Sequence, residues 1–153
     1  MNVWLTMHLI GVVIFVGNII TAAFWKVRAD IQKDPVIIHN TVKNVMLADY
    51  VFTLPSLVLI VGSGITMAVR ADLPMGGMNW LSLSVLLFAV TGVIWLAVLL
   101  PLQRGMIRHS AASIDSGNIC AAYRRISSYW AVFGIAATLL PIVILYLMVS
   151  KPL

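Results

Sequence analysis

Residues Leu73 to Gln103 read LPMGGMNWLSLSVLLFAVTGVIWLAVLLPLQ, a stretch without a single Lys, Arg, Asp or Glu. The hydrocarbon core of a bilayer is roughly 30 Å thick, and a helix crosses it with about 20 residues. This stretch is long enough to span. Three others share its freedom from charge: Met1 to Trp25, Tyr50 to Val69 and Ile126 to Ser150. In lipid, every backbone N–H and C=O must be satisfied within the segment or by a closed barrel. A barrel strand alternates polar and apolar residues, and runs such as Leu57 to Val61 and Val93 to Leu100 do not. The sequence predicts an all-α integral membrane bundle of four transmembrane helices. We expect one transmembrane domain over 1–153, with spans of about 3–26, 45–70, 79–103 and 126–150.

Composition agrees. The chain is 61% hydrophobic and 10% charged, with mean hydropathy +1.03, against about 45–50% and about 25% for a soluble domain. A fold of 153 residues could not cover that much apolar surface in water. A soluble globular enzyme, a disordered tail and a nucleic-acid module are excluded. The net charge of +5 is explained by where the cations lie. Lys26, Arg28, Lys33 and Lys43 cluster after the first span, and Arg104, Arg108, Arg124 and Arg125 flank the third connection. The second connection has only Arg70 beside Asp72, and the end of the chain only Lys151. Basic loops stay in the cytoplasm, so connections one and three are expected inside and both termini outside. The first run has its basic residues after the apolar stretch, which argues against a cleaved signal peptide. The basic loops face anionic lipid and call for no nucleic acid. The localisation this implies is a bacterial-type plasma (inner) membrane, crossed several times.

Asp34-Pro35 is a helix-start signal, Asp as N-cap and Pro at the first helical position. A helix beginning there runs through His39 and Lys43 into span two, extending helix two into the cytoplasm. Helix three extends likewise through Arg104 and Arg108. Asp115-Ser116-Gly117-Asn118 reads as a turn. The lone Cys120 in the third connection has no disulfide partner and nothing around it that suggests a nucleophile.

Polar side chains inside a span face the bundle interior. At helical steps, His8, Gly11, Phe15, Asn18, Ala22 and Trp25 form one stripe of span one. Asp49, Thr53, Ser56, Ser63 and Arg70 form another on span two. Ser84, Thr91 and Trp95 follow on span three, and Ser127, Gly134, Thr138 and Pro141 on span four. The plain reading is helix packing, preferred for Ser56, Ser63, Ser84, Thr91, Ser127 and Thr138. Asn18 reads as an interhelical hydrogen-bonding residue. Asp49, at the inner end of span two, is expected to pair with Lys43 or a basic residue of the third connection; a proton relay is the sharper alternative.

His8 is the one histidine within a span. Neutral imidazole is the commonest metal ligand, and Met67 and Met148 fall at similar depth. His with Met is an axial pair for haem iron, which makes His8, Met67 and Met148 candidate haem b ligands, with Gly11 admitting a neighbour or a flat ligand. The plainer reading is a histidine bonded to a backbone carbonyl. A second set rests on Met1, Met7, Met67, Met75, Met78 and Met148 lying toward the outer side, with Met46 and Met106 inside. Thioethers with imidazole suit Cu(I), so His8, Met7, Met75 and Met78 are candidate copper ligands; Met as apolar filler is the plainer account.

The stretch Met7-His8-Leu-Ile-Gly11-Val-Val-Ile-Phe-Val-Gly17-Asn18 carries a resemblance. So do Trp25-Lys26-Val-Arg28-Ala-Asp30, Phe52-Thr-Leu-Pro55, Trp95-Leu-Ala-Val-Leu-Leu-Pro101-Leu-Gln103-Arg104 and Tyr146-Leu-Met-Val-Ser-Lys151-Pro152. Together they resemble, over nearly the whole chain, a bacterial family of predicted integral membrane proteins of unknown function. More distantly, His8-x-x-Gly11 with Gly17 is similar to the first helix of CopD/HemJ-type four-helix membrane proteins. That similarity implies a haem ligand at His8. The pattern has a Trp where this chain has Phe15, and its haem-containing oxidase uses a membrane lysine with no counterpart in these spans.

Three functions follow as expectations: a haem b protein in redox or haem-related work, a Cu(I)-handling transport component, or a cofactor-free membrane scaffold or assembly subunit. The expected associations are membrane lipid, a homodimer that supplies a second His8, or a membrane redox partner. No Gly-x-Ser-x-Gly, His-Glu-x-x-His or phosphate-binding glycine loop is present, so nothing points to hydrolase chemistry.

Overall fold

A computed structural model describes residues 2–152. Four long helices account for almost all of them: α1 (Asn2–Gln32), α2 (Pro35–Arg70), α3 (Trp80–Ser116) and α4 (Ala121–Ser150). No strand occurs among the described residues. Each helix is long and apolar enough to cross a membrane, and only 11–28% of each apolar window is buried inside the protein. The rest of that apolar surface faces outward, an arrangement that water would not tolerate and lipid requires.

The start signals behave as their chemistry predicts. Asp34 accepts hydrogen bonds from Val36 N (2.9 Å) and Ile37 N (3.4 Å), with Pro35 at the first helical position. Asn79 caps α3 through Leu81 N and Ser82 N, and Ser82 Oγ accepts from Asn79 N in a capping box. Gly117, at φ 74°, ends α3 in the left-handed conformation that a side chain disfavours.

At 36 and 37 residues, α2 and α3 are about 54–56 Å long and outrun the hydrocarbon core at the end carrying the α1–α2 and α3–α4 connections, hereafter the loop end. There Ile38, Val42, Val45, Leu99, Leu100, Met106 and Tyr123 form the main apolar core. The opposite end carries both termini and the α2–α3 connection. α1 runs past its expected limit at residue 26 to Gln32, and Arg104 and Arg108 lie on the extension of α3, as the sequence reading expects.

Two helices contain wide turns, Asp49–Thr53 in α2 and Ile94–Leu99 in α3, where the backbone takes the π pattern. Leu54 N bonds Asp49 O and Leu100 N bonds Trp95 O. Each wide turn is followed by a proline, Pro55 or Pro101. A proline has no N–H to give and its ring crowds the carbonyl four residues back, so the preceding turn opens. A four-residue step drifts by about 40° on an α-helix, yet Val45, Asp49 and Thr53, like Thr91, Trp95, Leu99 and Gln103, stay buried. The wide turns absorb that drift.

Gly11 sets the spacing of α1 and α2. A Cβ there meets Ile60 Cγ1 at 2.9 Å and Ser56 O at 3.1 Å, whereas one at Gly17 meets nothing within 4 Å. Gly11→Val is therefore expected to force the helices apart and cost about 1–3 kcal/mol, lowering the unfolding midpoint in detergent. Gly17→Ala serves as the control and should leave the midpoint within error.

Candidate functional site

Two cavities, one toward each end, occur among the described residues, and Phe15 lines both. Its ring packs at 6.2 Å from that of Phe88, forming the wall between them.

The cavity nearer the termini has a volume of about 450 Å³ and an almost wholly apolar lining, within the usual range for ligand sites. It unites His8 of α1, Met67 of α2 and Met148 of α4. His8 Nδ1 lies 3.0 Å from Ile60 O and 3.2 Å from Ser63 Oγ. A carbonyl can only accept, so Nδ1 carries the hydrogen and a neutral ring leaves the Nε2 lone pair free. Gly64 makes room for the ring, since a Cβ there meets His8 Cε1 at 3.3 Å. Lys151 lines the same cavity, its ammonium 5.2 Å from the Trp80 ring. Arg70, exposed at this end, stacks on Trp4 at 5.4 Å, so it leaves the interior stripe assigned to it from sequence. Gly11 is filled by α2 and does not face the cavity lining.

The other methionines are not gathered. Met7, Met75 and Met78 are 40%, 61% and 87% exposed and do not line the His8 cavity. Met1 lies outside the described residues. No group of three or more His, Cys, Asp or Glu capable of holding a metal occurs among the described residues.

Midway along α2, the wide turn presents Asp49, 6% exposed. Oδ1 accepts from Asn18 Nδ2 (3.0 Å) and Thr53 Oγ1 (2.9 Å), and Oδ2 from Gln103 Nε2 (2.8 Å) and Trp95 Nε1 (3.4 Å). The expected pairing with Lys43 or another cation is corrected. Four neutral donors from three helices serve the carboxylate, because the α3 wide turn carries Trp95 and Gln103 to it. Asn18 bonds across helices as expected, to Thr53 as well at 3.0 Å.

A second cluster was missed from sequence. Lys26, read as a loop cation, is 2% exposed and turns inward, while its neighbour Trp25 is 62% exposed and leaves the interior stripe. Lys26 pairs with Asp30 and donates to Ser127. Tyr123 donates to Asp30 at 2.6 Å and Ser127 does so at 3.1 Å. The ammonium also lies 5.6 Å and 5.3 Å from the Tyr123 and Trp130 rings. The signal was present: Lys26 and Asp30 stand at i,i+4 on one helix. Ser127 thus belongs to an ionic cluster. The remaining packing hydroxyls bond their own helix, Ser56 to Thr53 O, Ser63 to Leu59 O, Ser84 to Trp80 O, Thr91 to Leu87 O and Thr138 to Gly134 O.

Replacing Asp49 with Ala strands four donors, and the expected loss is about 2–4 kcal/mol; Asn retains one acceptor and should lose less. For the ion pair, Lys26→Met leaves Asp30 uncompensated. Because the Asp30 side chain is 29% exposed, we expect roughly 1–3 kcal/mol, below the figure for a fully buried pair. The double variant Lys26→Met/Asp30→Leu should recover part of it in the same unfolding assay.

No curated protein and no solved structure matches the chain. One family does, and it matches residues 2–152. With four spanning helices and that match over nearly its full length, the chain is a multi-pass integral membrane protein belonging to the family described as predicted integral membrane protein, DUF2269.

Proposed function

We propose that this protein binds haem b in the His8 cavity of a bacterial plasma membrane, with both termini outside. The observation that carries the reading is the shared lining of His8, Met67 and Met148. Histidines that ligate metals are commonly held in this way, Nδ1–H donating to a backbone carbonyl and Nε2 left bare for the metal. Of the residues that share the lining, His8 through Nε2 and the thioether of Met67 or Met148 would hold haem iron. The walls are almost wholly apolar, and Lys151 would supply a cation for a propionate. Bound haem supplies a one-electron couple. Ile60 orients His8, Gly64 leaves space for the ring, and Phe15 closes the cavity on its inner side.

Protein purified from haem-replete cells is expected to show a Soret band that His8→Ala abolishes while insertion persists. Met67→Leu/Met148→Leu should keep the band, shift the reduced spectrum and lower the midpoint potential, since thioether ligation raises it. A colourless wild-type preparation would falsify the assignment.

The orientation has its own reporter. Cys120 is the single cysteine, partly exposed beside the α3–α4 connection. The Ser113 hydroxyl next to it holds its thiol below the ordinary value, which favours the reactive thiolate. A membrane-impermeant maleimide should label it only after the cells are permeabilised; labelling of intact cells reverses the orientation.

A further inference from the structure

The four helices form two pairs, α1 with α2 and α3 with α4, and the pairs are joined at one end only. Among the described residues, every hydrogen bond between the pairs lies at the wide turns or on the loop side of them. Trp95 and Gln103 donate to Asp49 at the turns, His39 bonds Ser110 farther on, and the Lys26–Asp30 cluster holds α4 at the end. The main apolar core occupies the same end. Toward the termini the links stop. Leu54–Arg70 of α2 brings no Cα within 8 Å of Trp80–Val93 of α3 or of α4. Phe15 against Phe88 stands at the foot of that gap.

Within each pair the contacts continue to the tip. His8 bonds Ile60 across α1 and α2, Gly11 lets those helices close up, and Arg70 stacks on Trp4. Lys151 at the end of α4 stacks on Trp80 at the start of α3. Each pair is therefore one arm, tied at its tip and rooted at the loop end. The roots are soft. In α2 and α3 a wide turn followed by a proline stands where the links stop. In α4, Pro141 has no N–H to give the carbonyl of Ala137. α1 lacks proline, but Thr21 Oγ1 donates to Gly17 O at 2.7 Å, a back-bond that bends helices. Gly17 adjoins Asn18, which bonds Asp49, so this soft point has the same depth as the wide turns.

We infer that the two arms pivot about the wide turns, parting to admit the occupant of the His8 cavity and closing to hold it. The lining of that cavity draws on both arms, His8 and Met67 from one, Phe88 and Met148 from the other. The separation of the arms therefore sets its width. Leu54–Arg70 has 17 residues, an arm of about 25 Å, so a tilt of about 10° at its root moves the tip by about 4 Å. A hinge needs only a few positions to absorb the backbone change while the moving bodies stay rigid, and wide turns recur at functional positions. The pivot does not require haem at His8, since it follows from where the links between the pairs stop.

The test is spin-label distance measurement on the full chain in lipid nanodiscs, in a Cys120→Ser background. Ile65→Cys with Val85→Cys, at sites 55% and 51% exposed, reports the tips of the arms. Lys43→Cys with Arg108→Cys, also exposed, reports the roots. In haem-free protein the root pair should give one narrow distance, and the tip pair a distribution about twice as wide or split by about 4 Å. Pro55→Ala and Pro101→Ala each restore an N–H and remove the ring, so each should narrow the tip distribution while the root distance stays fixed. Loss of the root distance would mark a misfolded variant, and the comparison of tip with root in the wild type then decides. Added hemin should draw the tip pair to a single distance, and His8→Ala should keep the haem-free width but lose that response. A wild type that keeps its wide tip distribution and ignores hemin would support the pivot while refuting haem as the occupant. Tip and root distributions of equal width in the wild type, or a tip width that both proline variants leave unchanged with the root intact, would overturn the pivot.

Discussion

A carboxylate in the interior of a membrane bundle is the constraint around which this molecule is built. An unpaired charge removed from water costs several kcal/mol even after relaxation. Among the described residues no cation pairs with Asp49. Its two oxygens are instead served by an amide and a hydroxyl on one side and an amide and an indole on the other. Those donors come from α1, α2 and α3, so satisfying one side chain fixes three helices in register. Sliding any of them by a turn would strand both the carboxylate and its donors.

That arrangement depends on backbone geometry that regular helices do not provide. Pro55 and Pro101 each open the turn before them, and the two wide turns lie on neighbouring helices beside the same carboxylate. Wide turns of this kind recur at functional positions. Here they hold four-residue spacings on the inner face, placing Asp49 with Thr53 and Trp95 with Gln103. The same residues line the inner cavity.

The two ends of the bundle are built for different ends. At the loop end, α2 and α3 extend beyond the hydrocarbon core and close on Ile38, Val42 and Met106, all at most 1% exposed. Toward the termini, the α1–α2 and α3–α4 pairs stand apart and enclose the His8 cavity. Phe15, against Phe88, separates the two cavities. The Lys26–Asp30 pair, with Tyr123 and Ser127, ties α1 to the start of α4 on the side where those helices otherwise touch little.

The sequence by itself determined the architecture, because lipid imposes a one-dimensional rule: charge-free runs of sufficient length must cross as helices. It also determined the cap at Asp34-Pro35, the turn at Gly117 and the inward stripe of Thr53, Ser56, Ser63, Ser84 and Thr91, all of which depend on neighbours within one helix. Tertiary structure alone decided who meets whom. Lys43 and Gln103 were equally available to Asp49 in the sequence, and the wide turns selected Gln103. Lys26 and Trp25 are adjacent in the chain, yet the ion pair with Asp30 drew the lysine inward and left the tryptophan to lipid. His8, Met67 and Met148 share a cavity while Met7, Met75 and Met78 do not, because depth can be read along a helix but its rotation is set by what packs against it.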